Sequence, residues 1–213
     1  MDTGRITYFE NIPAEPKMNM ILARLGYHKN TTIINSEHQK TLEKSIRLGL
    51  GLAKLKGAYG YFNIIEKTNN YITLKNQQTF HSEKLSGLLE HSDAVVLMAS
   101  TAGKAIVERI SEETKNGNAA VALILDSVAS QKADAGLDWL MEFINKLLKK
   151  EGKTLTRHRF SPGYGDLPLS NQKIIFDLLD LNKLDMELTE KYILVPEKSV
   201  LAIAGIERIE SYE

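Results

Sequence analysis

Strand-like and helix-like stretches are interleaved along this chain without the regular strand–helix–strand rhythm of a doubly wound sheet, and that irregular order restricts the fold more than any other feature. The clearest strand is Ala94-Val95-Val96-Leu97-Met98, a short continuous apolar run of the kind that forms a buried strand. Ahead of it, residues 58–65 are aromatic and β-branched, and Asn69-Asn70 turns the chain into a hairpin partner, Tyr71-Ile72-Thr73-Leu74. Behind it, residues 155–160, 192–195 and 200–206 read as further strands.

Helices fill the intervals. One runs from Met18 to Leu25 and ends at Gly26; a second opens on the capping box Ser36-Glu37-His38-Gln39 and stops at Gly57. Ser82 caps a short helix, residues 104–116 form another, and residues 119–150 form a long one with a break expected near Ser130. In that long segment Leu137, Leu140, Met141, Ile144, Leu147 and Leu148 make an apolar stripe, with Asp134, Asp138 and Glu142 beside it. Ser170 caps a last helix. The expected architecture is α+β, a mostly antiparallel twisted sheet packed with helices. It forms a single domain over residues 1–213, with residues 1–16 as an irregular N-terminal segment.

Lys plus Arg equals Asp plus Glu at 27 each, so bulk charge draws the chain neither to nucleic acid nor to an anionic membrane, and neither is an expected partner. With no cysteine, disulfides, thiolate nucleophiles and Cys-held metals are excluded, which suits a cytoplasmic protein. Residues 119–125, the most apolar segment, fall well short of the roughly 20 residues needed to cross a bilayer. Met1-Asp2-Thr3-Gly4-Arg5 leads into no apolar core and does not read as a secretory signal.

Several catalytic patterns fail on spacing. No two of His28, His38, His81, His91 and His158 lie three or four apart, so no helical metal pair forms, and no metal site is expected. Gly49-Leu50-Gly51 sits inside a helical pattern and its third glycine comes only at Gly57, so it reads as close helix packing rather than a dinucleotide loop. Ala102-Gly103-Lys104 lacks the upstream glycine and the Ser or Thr of a phosphate loop. There is no Gly-x-Ser-x-Gly elbow, and no residue is expected to be catalytic.

The informative stretch is Arg159-Phe160-Ser161-Pro162-Gly163-Tyr164-Gly165-Asp166. Pro162 fixes φ at the first corner of a turn and Gly163 accepts positive φ at the second, the pattern of a type II turn. Arg159 brings fixed donors suited to a carboxylate, and Tyr164 an aromatic face with a polar tip. Cation, free backbone and ring fit a small amphipathic ligand bearing a carboxylate and a ring. Taken alone, the segment fits an ordinary surface turn with a solvated arginine better than it fits a ligand site.

Its flanks carry more. The helix after the turn holds Asp177-Leu178-Leu179-Asp180; Leu188-Thr189-Glu190 and Pro196-Glu197-Lys198-Ser199-Val200 follow. In order and spacing from Arg159 to Val200, the chain resembles the S-adenosylmethionine-binding activation domain of cobalamin-dependent methionine synthase, in a free-standing form. The resemblance implies S-adenosylmethionine as ligand, with Arg159 meeting its carboxylate, the backbone of Ser161, Pro162, Gly163 and Tyr164 meeting its nucleoside, and Asp138 and Tyr212 as further contacts. It also implies an accessory role rather than a self-sufficient catalyst: the protein supports reductive methylation of a cobalamin carried by a methionine synthase chain, with an electron from a flavodoxin-like or other donor. Cobalamin enters only through that partner, since no Asp-x-His-x-x-Gly motif is present. The family's Cys-containing segment after Gly-Tyr is replaced here by residues 165–169. Two alternatives stay open: a binding module for another carboxylate-bearing small molecule, and an independent S-adenosylmethionine-dependent methyltransferase, which would usually carry a Gly-rich loop absent here.

Overall fold

The apolar run at Ala94 becomes β5 (Ala94–Thr101), and its neighbours explain why it has no polar alternate positions. The computed structural model describes residues 4–27 and 35–209. Val95, Leu97 and Ala99 face one apolar cluster and Val96 and Met98 another, so both faces of the strand are covered. β2 (Lys56–Lys67) pairs along one side of β5 and β9 (Ser199–Arg208) along the other. β3 (Tyr71–Leu74) and β4 (Thr79–His81) extend the sheet beyond β2, and β6 (Lys153–Leu155) extends it beyond β9. Among the described residues this makes a seven-stranded sheet, every pairing antiparallel, curled where β2 shifts register between Ile64 and Glu66.

The seventh strand corrects the expectation of an irregular opening. β1 (Ile6–Phe9) pairs with Gly57–Gly60 of β2, beside the stretch where β3 takes over the same edge. Gly57, expected to stop a helix, is selected by this crowding: a Cβ there would lie 2.7 Å from Ile12 and 2.8 Å from the Ala99 carbonyl. The preceding helix, α2 (Ser36–Leu52), accordingly ends earlier, and Lys56 belongs to β2. The cap of α2 is Asn35, whose side chain accepts from the His38 N–H at 2.8 Å, in place of the expected Ser36.

α5 (Ala119–Leu148) ties two layers together. Its C-terminal half lays Leu137, Leu140, Ile144 and Leu148 on the Val96–Met98 face of the sheet. Its N-terminal half packs Ile124, Val128 and Ala129 against α1 (Met18–Arg24), α2 and α4 (Lys104–Lys115). Gly49 permits the α2–α5 approach, a Cβ there meeting Val128 at 3.0 Å, whereas Gly51 faces open space. The expected break near Ser130 is absent. That serine is polar because its hydroxyl, 3.2 Å from Lys198 Nζ, helps Asp126 hold the loop before β9.

On the other sheet face, α3 (Glu83–Leu88), α6 (Gln172–Leu178) and the turns after α6 supply Leu85, Ile175, Leu179 and Leu184 to the core. Ser82 caps α3 as expected, accepting from Leu85 N–H at 3.0 Å. Ser170 does not cap α6; it lies within a 3₁₀ turn, Leu169–Asn171, that leads into it. β7 (Glu187–Leu188) and β8 (Leu194–Val195) form a small hairpin, and Tyr192, expected in the strand, sits in its turn at φ +60°. Among the described residues no helix is long and apolar enough to cross a membrane.

Candidate functional site

The segment after β6 was expected to stay extended to Phe160, but it leaves the sheet and returns. Thr156 N–H donates to the Gly205 carbonyl and Gly205 N–H to the Thr156 hydroxyl, residues 157–159 bulge outward, and Phe160 rejoins β9 at Ile203. Phe160 packs into the α6-side core, and Arg159 reaches α5, where its Nη1 donates to Asp138 Oδ1 at 2.5 Å. The bulge thus brings a guanidinium to the sheet's edge beside the long helix.

The turn forms as its residue types require. Tyr164 N–H closes on the Ser161 carbonyl at 3.2 Å with Gly163 at φ +91°. Gly163 N–H donates to the Leu167 carbonyl at 2.8 Å and Leu167 N–H to the Tyr164 carbonyl at 3.1 Å, winding the loop on itself. Asp166 then anchors it: its carboxylate accepts from the Ser82 hydroxyl (2.5 Å), Glu83 N–H (2.7 Å) and Lys84 N–H (3.3 Å) at the start of α3. Those bonds, the Ser82 hydroxyl first, hold the Asp166 carboxyl below its ordinary value. Pro162 is buried beneath the turn and Tyr164 stands out at its tip, 70% exposed.

Behind the turn lies a cavity of about 730 Å³. Its walls are Arg159 to Tyr164, the start of β9 (Ser199 to Leu201), Leu169 and Gln172 before and in α6, Leu194 of β8, and Asp134 and Leu137 of α5. The start of the β9 wall is fixed from beneath, the Ser199 hydroxyl donating to the Pro196 carbonyl at 2.6 Å and lying 2.8 Å from that of Thr101. Burial pushes the Asp134 carboxyl up, against the pull of Arg159. Arg159 and Asp134 also border a second cavity of about 480 Å³, between α5 and residues 14–20, walled by Trp139 and Glu142. Buried Lys132 holds Glu15 there at 2.7 Å.

The fold gathers Arg159, Ser161, Pro162, Gly163 and Tyr164 around one cavity. Asp138 borders the second cavity instead and pairs with Arg159, while Tyr212 lies outside the described residues. Asp134, one helical turn before Asp138 on the same face, is the acid of α5 that lines the larger cavity, and its spacing from Asp138 is the sequence signal for it. The Ser199-Val200 wall was visible only as part of a motif with no role attached. Among the described residues no group of His, Cys, Asp and Glu is placed to hold a metal ion.

No family model and no curated protein matches the chain. Among solved structures, the MetH reactivation domain bound to AdoHcy is similar, with a TM-score of 0.74 at 15% identity, over 98% of this chain and 80% of that one. At that identity the likeness is one of fold: an α+β domain whose curled antiparallel sheet packs against helices.

Proposed function

We propose that the cavity behind the Arg159–Tyr164 turn binds S-adenosylmethionine, and that the protein assists reductive methylation of the cobalamin of a methionine synthase chain. The observation that carries this reading is the coincidence of that turn with the wall of a 730 Å³ cavity, in a fold shared with a domain crystallised bound to AdoHcy. Volume and lining suit the ligand: apolar surfaces from Leu137, Leu169, Leu194 and Val200 for a base, and a guanidinium and a carboxylate at one end for a zwitterionic amino acid.

Arg159 uses one Nη1 on Asp138, which leaves other donors of its fork for a ligand carboxylate. Asp138 is 67% exposed, so this pair is worth about 1 kcal/mol at most and yields readily to a better acceptor. Asp134, nearer the cavity interior, is the acid placed to face a cationic group. Bound S-adenosylmethionine supplies a sulfonium methyl; this chain's own residues orient it and keep its charged end out of water, so positioning is the main contribution. The cobalamin belongs to the partner, as does the contact with an electron donor.

Titration calorimetry with S-adenosylmethionine and S-adenosylhomocysteine tests the reading. Saturable binding is expected, weakened roughly 10- to 100-fold in Arg159→Ala by loss of a charge-assisted hydrogen bond. Absence of heat, or equal binding by the variant, refutes it. For the partner, cob(II)alamin-loaded methionine synthase supplied with an electron donor and S-adenosylmethionine should recover activity faster in the presence of this protein than without it.

A further inference from the structure

The outer edge of β9 is open where it borders the cavity. Phe160 and Ile203 exchange both main-chain hydrogen bonds on that edge, each at 2.8 Å, and Thr156 N–H meets the Gly205 carbonyl there at 2.9 Å. The carbonyl of Lys198 faces the other way and accepts from Ala102 N–H at 2.8 Å. Main-chain groups alternate sides along a strand, so the N–H and C=O of Ser199 and Leu201 point to the outer edge with those of Ile203 and Gly205. Continued antiparallel from Phe160, the facing chain would set Pro162 opposite Leu201, but there it has turned away, and proline has no N–H to offer. Among the described residues these outward groups of Ser199 and Leu201 have no partner. Both residues are nonetheless buried, at 9% and 3% exposure, and both line the cavity. Buried main-chain groups are rarely left unpaired.

Along an extended edge, the carbonyl of one residue and the N–H two residues on are neighbours that point in parallel, an acceptor followed by a donor. Adenine carries the complement, a 6-amino donor beside the N1 acceptor. We propose that the edge of β9 reads the adenine base: the Ser199 carbonyl accepts from the 6-amino group and Leu201 N–H donates to N1. This rests on the S-adenosylmethionine reading of the cavity and adds to it the element that selects the base. Hypoxanthine reverses both positions, setting its 6-oxo group against the Ser199 carbonyl and its N1–H against Leu201 N–H.

The test compares S-adenosyl-L-homocysteine with S-inosyl-L-homocysteine, which differ at the 6-position and in the protonation of N1, by calorimetry on the unaltered full chain. The inosine analogue should bind about a hundredfold more weakly or worse, because each main-chain group then faces its own kind. In ¹H–¹⁵N spectra the Leu201 amide proton should move downfield when S-adenosylhomocysteine is added. Equal affinity for the two ligands, or a Leu201 amide that stays put while S-adenosylhomocysteine binds, overturns the base-reading edge and leaves the cavity reading intact. If neither ligand binds, the cavity reading falls and the base subsite falls with it.

Discussion

The two ends of the loop from Arg159 to Asp166 are charged, and they are held in opposite ways. At the first end a guanidinium meets one largely exposed carboxylate, a contact that solvent screens. At the second, a carboxylate is gripped by a hydroxyl and two main-chain N–H groups of a helix start. On the proposed reading the first arrangement is the one a ligand carboxylate replaces; the second fixes where the turn stands. A loop that is to receive a small molecule gains from this asymmetry, because the anchored end holds the backbone in place while the loose end supplies the charge.

The strongest challenge to this contrast is Asp166→Ala. Its carboxyl is held below 3.8 in the folded protein, so its contribution to stability is present above that value and is lost as pH falls through the lowered one. Thermal unfolding followed by circular dichroism should show the variant melting several degrees below the wild type at neutral pH, with the gap closing below 3.8. A gap that ignores pH would mean that the carboxylate is not the anchor.

Asp134→Asn probes the loose end from within. Burial raises the Asp134 carboxyl above 3.8, so the stability favouring its protonated form is complete below that value and is lost as pH rises through the raised one. The Asn variant should therefore match the wild type in acid and exceed it at neutral pH. It should also lose roughly tenfold in affinity for S-adenosylmethionine relative to the uncharged thioether of S-adenosylhomocysteine, the scale of a partly screened charge pair. Equal losses for both ligands would remove Asp134 from the sulfonium's surroundings.

The smallest effect is expected from Asp138→Ala. Freeing Arg159 should tighten carboxylate binding a few-fold while shifting stability by less than about 1 kcal/mol. Calorimetry and chemical denaturation on the same preparation separate the two quantities. Weaker ligand binding would show that Asp138 steadies the guanidinium rather than competing for it.

What could be read from sequence was what short-range chemistry decides. The Ser82 cap, the turn at Asn69-Asn70, the apolar stripe of α5 and the bend from Ser161 to Tyr164 each depend on a few adjacent residues, and each is present in the fold, save that Leu147 of the stripe is exposed. Asn35 rather than Ser36 caps α2 through a bond only three residues long, so that cap turned on one position of register; Asp134 rather than Asp138 walls the larger cavity because of where β9 and the turn lie against α5. β1 escaped notice because its strand character comes from pairing with β2, far along the chain. Ser130 looked like a helix breaker because its partner, Lys198, is 68 positions away. The wall from Ser199 to Leu201 depends on where the facing chain departs from β9, which no local pattern records.

α5 runs 30 residues without interruption, a rod of about 45 Å. Near its middle it rests on the sheet at Gly136, where even a methyl group would come 2.1 Å from the Ser100 hydroxyl oxygen. That contact fixes where the rod crosses the sheet. Helices α1, α2 and α4 pack on one half, and the other half lies on the sheet; Asp134 and Leu137 flank the crossing. Two walls of the cavity are therefore seated by a single close approach, and a side chain as small as that of alanine at Gly136 would have to displace both.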